Sequence, residues 1–146
     1  SRMEQCIVKH NGIINKYIGD AIMAIFGVPL ANENQALDAY KCCLDMRKKL
    51  TELNKELEAE NLPQLKFGIG LHTGNVLAGN IGSNSRMEYT VIGDTVNVAS
   101  RIESLCKEYN CDLLLSETTV EKINNSGEAF SQLKSIGESN IYCYYQ

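Results

Sequence analysis

The sequence predicts one α+β domain of the split βαβ type. Its 146 residues are 44% hydrophobic and 22% charged, which suits a single globular domain with a sizeable core. Short runs of β-favouring residues alternate with segments at helical spacing, without the regular repeat of a parallel α/β fold. Glycine-containing turns join several of these runs directly, as in antiparallel pairs. Residues 1–146 are therefore predicted to form a single domain.

The first predicted elements are a β-hairpin and a long helix. Isoleucines at positions 13, 14 and 18 lead into Gly19-Asp20, and Ala21 to Phe26 is again apolar, which predicts a hairpin whose turn presents the carboxylate of Asp20. Asn34 to Leu57 has the pattern of an amphipathic helix. Its predicted buried stripe consists of Leu37, Tyr40, Leu44, Leu50, Leu53 and Leu57.

A glycine-rich segment follows this helix. Lys66 to His72 and Val76 to Ile81 are predicted strands, joined through Thr73-Gly74-Asn75. Glycines at positions 68, 70, 74, 79 and 82 indicate that another backbone or a ligand approaches closely. Either tight packing or a binding site is therefore expected in this segment.

The next segment combines a strand, a tight turn and a helix. Glu88 to Ile92 favours a strand, Gly93-Asp94 interrupts it, and Thr95 to Leu105 has helical spacing. The apolar stripe of this helix comprises Val98, Ile102 and Leu105, and another face carries Asn97, Arg101 and Glu108.

The remaining residues predict a second strand and helix followed by two closing strands. The predicted ranges are Cys111 to Leu115, Glu117 to Ile123, Phe130 to Ile136 and Asn140 to Tyr145. The complete order of strands and helices fits the ferredoxin-like α+β plan, a split βαβ sandwich.

Charge and hydropathy exclude some classes of function. The net charge is −4 and there is no basic tract, so no nucleic-acid partner is expected. No apolar run has the length needed to cross a bilayer, so a membrane would be reached only through parts outside this chain. The six cysteines include no C-x-x-C and there are only two histidines, which argues against a zinc site. All six are expected to be reduced thiols in a cytoplasmic, soluble domain.

Asn97 and Arg101 are the first candidate functional pair. They lie four residues apart and therefore next to each other on one helix face. An amide can bind a ribose oxygen while the guanidinium fork binds anionic phosphate oxygens. A solvated helix face is the alternative, and the spacing alone favours that alternative because polar pairs at this separation are common.

Three segments carry a resemblance to a known family. Tyr89 to Arg101 reads YTVIGDTVNVASR, and Asn15 to Gly27 reads NKYIGDAIMAIFG. The first resembles the signature of the class III nucleotide cyclases, the adenylate and guanylate cyclase catalytic domains. The second is similar to the family's metal-site hairpin, and Gly68 to Gly82 to its central strand pair. The likeness covers about Gly12 to Thr119 and lies nearest to adenylate cyclases of the bacterial or bicarbonate-responsive type.

The resemblance implies both a fold and a reaction. The fold is the same ferredoxin-like sandwich. The reaction is attack of the ribose 3′-oxygen of ATP on its own α-phosphate, which gives 3′,5′-cyclic AMP and pyrophosphate with two divalent cations, Mg²⁺ or Mn²⁺, as cofactors. Asp20 matches the family's second metal aspartate, and aspartate is a hard oxygen ligand suited to these ions. A turn aspartate that caps its own backbone is the alternative role for Asp20.

By the same resemblance, Lys16 and Thr90 occupy the two positions that recognise the base. A lysine can donate to an adenine ring nitrogen and a threonine hydroxyl can accept from the exocyclic amine, which favours ATP over GTP. Guanylate cyclases of the family usually carry an acidic residue at the position of Lys16. Thr90 resembles the bacterial and bicarbonate-responsive branch and makes bicarbonate a candidate stimulating ion. The alternatives are a solvated strand lysine and an ordinary β-branched strand residue.

The resemblance also assigns the catalytic pair, a phosphate ligand and an assembly. Asn97 matches the ribose-orienting asparagine and Arg101 the arginine that stabilises charge on the α-phosphate. Lys134, in the segment Lys134-Ser135-Ile136-Gly137-Glu138, is the candidate triphosphate ligand, with a register open by about one residue. The family implies a homodimer with two shared sites, in which Asp20 serves one site and Lys16, Thr90, Asn97 and Arg101 the other.

One departure from the family pattern leaves two interpretations open. The family's first metal aspartate lies in a motif resembling F-x-D-I-x-G-F upstream of the hairpin, and neither this motif nor the fold's first strand is expected in the sequence before Lys16. The chain is then either an N-terminally truncated catalytic domain, which the other site residues favour, or an inactive cyclase-homology module that dimerises or binds nucleotide as a regulator. A diguanylate cyclase is disfavoured because no G-G-[DE]-E-F-like turn is present.

Overall fold

The computed structural model describes residues 2–28, 30–81, 88–125, 132–136 and 140–144. None of the described helices has the length and apolarity needed to cross a membrane. The helices are α1 (Arg2–Lys9), α2 (Gln35–Ala59), α3 (Asp94–Glu108) and α4 (Glu117–Asn125). The strands are β1 (Gly12–Ile18), β2 (Ala21–Phe26), β3 (Ile69–Leu71), β4 (Leu77–Ile81), β5 (Glu88–Ile92), β6 (Leu113–Ser116), β7 (Leu133–Ser135) and β8 (Ile141–Tyr144).

The strands of the described residues form three sheets. β1 with β2, and β4 with β5, are antiparallel pairs. The third sheet has the strand order β3-β6-β8-β7, in which β3 and β6 are parallel and the other pairs antiparallel. Because β3 and β6 are parallel neighbours connected through α3, this part of the chain is a βαβ unit with the β4–β5 pair inserted. The predicted α+β class is confirmed.

The four-stranded sheet separates two cores. On one face, Leu113 and Leu115 pack with residues of α2 and α4, including Tyr40 and Ile123, all four fully buried. On the other face, Leu114 packs with Ile102 of α3 and with the rest of a second cluster. β6 is therefore covered on both sides, which explains why its short run is uninterrupted leucine instead of an alternating pattern.

α3 lies directly on the backbone of β3 because two glycines leave room for it. A Cβ atom at Gly70 would stand 2.4 Å from the amide nitrogen of Glu103 and 2.6 Å from the carbonyl oxygen of Ala99. At Gly68 it would stand 2.9 Å from the Cβ of Cys106. These glycines mark close backbone packing, and the surroundings of Gly79 and Gly82 lie outside the described residues.

The β1–β2 hairpin packs on α1 and α2 through a third, smaller core. Cys6, Ile7 and Cys42 form its buried centre, with Ile14 and Phe26 of the hairpin against them. Polar contacts fix α1 on α2. His10 Nε2 lies 3.2 Å and Lys9 Nζ 3.7 Å from Asp45 Oδ2, and Arg2 pairs with Glu56 at 2.7 Å.

The predicted strand from Lys66 to His72 is too long and has the wrong partner. Only Ile69–Leu71 is a strand, and it pairs with β6, whereas β4 pairs with β5. The side-chain amide of Asn54 binds the backbone just before the predicted strand. It accepts a hydrogen bond from Leu65 N at 2.7 Å and donates one to Leu65 O at 2.9 Å, so it replaces a strand partner before the sheet starts.

The predicted stripe of α2 is correct in its first half and only partly so in its second. Leu37 and Tyr40 are buried, and the neighbouring Cys43 is too. The later leucines of the stripe are half-buried, and no cluster of the described residues includes a residue of α2 beyond Met46. The second half of this helix therefore extends past the cores.

The prediction that all six cysteines are free thiols is wrong for one pair. Cys111, just before β6, and Cys143, in β8, form a disulfide, because the two strands are antiparallel neighbours that bring the pair within disulfide reach, with their Cα atoms 6.4 Å apart. The other four are free and buried. Burial raises the pKa of Cys42 to about 12 and that of Cys106 to about 11, so these thiols remain protonated at neutral pH.

Candidate active site

Asp20 lies at the exposed end of the β1–β2 hairpin, as predicted. Gly19 and Asp20 form a two-residue loop between paired Ile18 and Ala21, and Gly19 has a φ of +57°, a conformation that glycine adopts readily. Asp20 is exposed, and its carboxylate makes no hydrogen bond or ion pair with another described residue. An oxygen ligand is thus presented to solvent on a defined turn.

A β-bulge determines which way Lys16 faces. Ile14 lies opposite Ala24, but Lys16 lies opposite Met23, so β1 contains one extra residue at this point. Ile14 and Ala24 pack in the core beneath α1 and α2. Paired residues share a face, so Lys16 faces away from that core, together with Met23. In a regular strand Lys16 would share the face of Ile14 and point into the core.

Thr90 lies on β5, and its backbone is opposite Gly79 of β4. Its side chain lies outside the described residues. β5 contacts β1, the strand of Lys16, and leads through Gly93 into α3. The two predicted base-recognition positions are therefore on neighbouring strands.

Asn97 and Arg101 lie on the exposed face of α3, one turn apart. Neither side chain makes a hydrogen bond or ion pair with another described residue. The predicted stripe on the opposite face is confirmed: Ile102 is buried and Val98 and Leu105 are half-buried against the same cluster. The position of both polar side chains therefore depends on how α3 itself is held.

The register of Lys134 places it on the same side of the sheet as α3. Lys134 lies opposite Cys143, whose side chain is in the core beneath α3. Its neighbour Leu133 lies opposite Tyr144, and both pack on the α2 side. Because β7 is two strands from β6, Lys134 lies about 10 Å across the sheet from β6. Gly137 and Glu138 of the same predicted segment lie outside the described residues.

A polar cluster at the ends of β3 and β6, with buried Ser116 and Thr119 at its centre, was not among the predicted site residues. His72 Nδ1 lies 2.8 Å from Ser116 Oγ, which lies 3.0 Å from Thr119 Oγ1, and Thr119 Oγ1 lies 2.8 Å from Thr73 Oγ1. The signal in the sequence was the placement of polar residues directly after apolar strand residues. The parallel ends of β3 and β6 bring them together at one edge.

The described residues do not assemble a complete metal site. No group of three or more His, Cys, Asp or Glu side chains among them could hold an ion. Asp20 fits as one ligand, because it is an exposed carboxylate without a described protein partner.

Almost the whole chain matches one known protein family. The family model described as the adenylate and guanylate cyclase catalytic domain matches residues 1–145. The chain belongs to this family. The class III cyclase resemblance of the hairpin and signature segments is thereby confirmed.

Curated relatives from distant organisms are similar over most of the chain. An adenylate cyclase of Anabaena cylindrica is 43% identical over 133 residues, covering 88% of this chain and 25% of the relative. Adenylate cyclase 1 of Rhizobium meliloti is 35% identical and covers 80% of this chain and 17% of the relative. The chain thus spans a quarter or less of the length of these relatives.

Solved cyclase structures share the fold. The adenylyl cyclase CyaB from P. aeruginosa superimposes with a TM-score of 0.77 at 28% identity, over 99% of this chain and 76% of that one. The guanylyl cyclase Cya2 has a TM-score of 0.75 at 32% identity, over 97% of this chain and 74% of that one. The predicted class III cyclase fold is confirmed, and both nucleotide specificities occur among its neighbours.

Proposed function

We propose that this chain is the catalytic domain of an adenylate cyclase, which converts ATP to 3′,5′-cyclic AMP and pyrophosphate. One observation carries the proposal. Four side chains at the family's site positions are exposed and make no hydrogen bond or ion pair with other described residues; they are Lys16, Asp20, Asn97 and Arg101. Groups of this kind, at these positions, are available to a nucleotide and its cation. The curated relatives named adenylate cyclase favour ATP.

Asp20 would hold a divalent cation, Mg²⁺ or Mn²⁺, together with phosphate oxygens of the nucleotide and a further carboxylate outside the described residues. When bound, the cations lower the pKa of the attacking hydroxyl and neutralise charge on the triphosphate. The contribution of this chain is a carboxylate fixed on a two-residue turn and exposed to solvent.

Lys16 and Thr90 would select the base. The bulge in β1 directs Lys16 away from the core, and β5, which carries Thr90, contacts β1. A lysine donor beside a threonine acceptor complements the ring nitrogen and the exocyclic amine of adenine. Guanine presents a donor and an acceptor in the opposite order, so this pair disfavours GTP.

Asn97, Arg101 and Lys134 would bind the sugar and phosphates. Asn97 orients the ribose so that its 3′-oxygen faces the α-phosphate, and Arg101 stabilises the negative charge that develops there. Lys134 lies on the α3 side of the sheet, where its ammonium group can bind the triphosphate.

Two copies of the chain would share their sites in a homodimer. Tyr17 and Ile18, beside Asp20 at the end of the hairpin, are each 57% exposed, which is high for large apolar side chains. A two-fold dimer that covers them would bring Asp20 of one protomer towards α3 of its partner. Bicarbonate remains a candidate stimulating ion, proposed from Thr90 alone.

A second candidate is a regulatory cyclase-homology module without catalytic activity. The described residues contain no three-ligand metal cluster, which is compatible with both candidates. Such a module would still dimerise and bind nucleotide.

The test is cyclic nucleotide production from ATP and from GTP, with Mg²⁺ or Mn²⁺, by the 146-residue chain and by any N-terminally longer form of it. We expect cyclic AMP, with a loss of roughly 100-fold or more in Asp20→Asn and of roughly 100- to 1,000-fold in Arg101→Ala. Glu33→Gln, which changes another exposed carboxylate, is the matched control. Cyclic GMP as the main product would overturn the choice of ATP, and no product from any form would favour the regulatory module.

A further inference from the structure

The polar cluster beside α3 is closely bonded, and its centre is buried. Ser116 and Thr119 are 7% and 0% exposed and are the buried polar residues of the described chain. Ser116 Oγ contacts His72 Nδ1 at 2.8 Å, Thr118 Oγ1 at 3.0 Å and Thr119 Oγ1 at 3.0 Å. Buried hydroxyls are costly when they lack partners, so a chain of mutual bonds fixes each member in position.

The cluster holds a segment that has no regular secondary structure. Residues 72–76 follow β3 without belonging to a strand or helix. Thr118 Oγ1 donates to Thr73 O at 3.0 Å, and the hydroxyls of Thr73 and Thr119 lie 2.8 Å apart. Side chains from the end of β6 and the start of α4 thus replace the backbone partners that this segment lacks.

The same segment supports the first turn of α3. Thr95 Oγ1 donates to Asn75 O at 2.6 Å. A Cβ atom at Gly74 would stand 2.7 Å from Thr95 Oγ1, so the segment and the helix are in direct contact. Thr95 precedes Asn97 by two residues and Arg101 by six.

His72 fits this role as a neutral imidazole. Burial lowers the pKa of His72, and the nearby charge of Asp94 opposes part of that shift. A neutral ring can bond Ser116 through Nδ1 without burying a charge between two strands. Hydrogen bonding and position, not charge, are therefore what His72 supplies.

We infer that His72, through Ser116 and Thr119, is a positioning residue for Asn97 and Arg101: the cluster fixes residues 72–75, and these fix where α3 begins. The inference rests on the proposed function. Neither Asn97 nor Arg101 is held by another described side chain, so a shift of α3 would move both away from the reacting atoms. A displacement of about 1 Å can cost roughly 100-fold in rate.

The kinetic test compares His72→Leu, His72→Asn and His10→Leu in the 146-residue chain, or in the longer form if only that form is active. His72→Leu should lower kcat roughly 10- to 100-fold while KM for ATP changes less than about 3-fold. His72→Asn, whose amide can reach Ser116 near the position of Nδ1, should recover most of the rate. His10→Leu removes the 3.2 Å contact of another partly buried histidine, with Asp45 of α2, and should leave kcat unchanged.

A double variant separates positioning from general loss of stability. In an Arg101→Ala background, His72→Leu should reduce kcat by a clearly smaller factor than it does in the wild type, because one of the two groups it positions is already gone. A full further loss in that background would overturn the inference, as would wild-type kcat in His72→Leu itself.

Hydrogen exchange provides a second test, which does not require catalytic activity. In His72→Leu, amides of residues 95–98 should exchange faster than in the wild type, whereas in His10→Leu they should not. Unchanged exchange in His72→Leu would overturn the positioning role. If every form of the wild type makes no cyclic nucleotide, the proposed function fails, and the exchange result still supports or overturns the placement of α3 by His72.

Discussion

The two halves of the candidate site rest on very different supports. α3, which carries Asn97 and Arg101, lies on the backbone of β3 at two glycines, on a core beneath it and on a bonded polar cluster. The β1–β2 hairpin, which carries Lys16 and Asp20, packs on α1 and α2 through one small core and ends in exposed Tyr17 and Ile18. One half is fixed by the four-stranded sheet, and the other packs on the helices α1 and α2.

This difference suits the separate roles proposed for α3 and for the hairpin. Stabilisation of developing charge requires groups that do not reorganise during the reaction, and α3 is held by backbone contacts on one side and hydrogen bonds at its start. Cation binding and dimer contact require groups that reach a partner, and an exposed hairpin end provides them. Perturbations of the sheet should therefore affect stability and α3 together, and perturbations of the hairpin should affect activity with little effect on stability.

The largest expected effect on stability comes from reducing the disulfide of the four-stranded sheet. Cys111 and Cys143 close a loop of 32 residues in sequence, so reduction should lower the free energy of unfolding by about 3–4 kcal/mol. Urea unfolding with and without reductant measures this effect. In the same samples, reduction should accelerate hydrogen exchange more in β6 and β8 than in β1 and β2. A Cys111→Ser/Cys143→Ser variant should not respond to reductant, and identical wild-type midpoints in both conditions would contradict the prediction.

A pair of glycines compares the two halves directly. Gly70→Val would push a side chain into the backbone of α3, and the free energy of unfolding should fall by about 3 kcal/mol. Gly19→Ala meets no atom within 4 Å, so only its φ of +57° should cost stability, by about 1 kcal/mol. Thermal or urea unfolding of both variants tests the contrast. Equal losses would show that α3 is not seated closely on β3.

Lys16 offers the complementary change in the hairpin. Because Lys16 is exposed and makes no hydrogen bond or ion pair with another described residue, Lys16→Glu should change stability by less than about 0.5 kcal/mol. In Lys16→Glu, the ratio of kcat/KM for ATP to kcat/KM for GTP should fall roughly 100-fold, since the carboxylate repels the acceptor nitrogen of adenine. Steady-state kinetics with both nucleotides measures the ratio, and Lys55→Glu, on the exposed side of α2, is the control. An unchanged ratio would remove Lys16 from base recognition.

Much of the difference between α3 and the hairpin can be predicted from the sequence, because local residue patterns determine it. The hairpin turn at Asp20 and the two faces of α3 follow from apolar spacing and glycine placement, and the structure confirms both. The close approach predicted at Gly68 and Gly70 is confirmed as helix packing. The turn and the helix faces depend on residues only a few positions apart, and the two glycines predict a close approach without identifying α3 as the partner.

Features that depend on distant pairing were wrong or undetermined. The residues around Lys16 do not reveal the bulge, because its extra residue is defined only by the pairing with β2. The face of Lys134 was open for the same reason and is set by Cys143 on β8. The disulfide joins two residues whose proximity follows from the β6–β8 pairing, and spacing along the chain gave no sign of it.

The smallest predicted effect is a pH dependence of stability that arises from His72. The pKa of His72 is lowered in the folded state by burial from an ordinary value of 6.5. On acidification the unfolded chain therefore takes up the proton first, so stability is fully present above about pH 6.5 and falls as the pH drops towards the lower folded pKa. Urea unfolding between pH 7.5 and pH 5 measures the fall.

Two variants should change this pH dependence in opposite directions, and a third is their control. His72→Asn has no ionisable ring and should flatten the dependence in this range, whereas His10→Asn should keep the part that His72 produces. Asp94→Asn should enlarge the fall, because the Asp94 charge raises the pKa of His72 and its removal increases the difference from the unfolded chain. If Asp94→Asn instead reduced the fall, His72 would not be the titrating group, and its partial burial beside Ser116 would have no part in the acid response of this region.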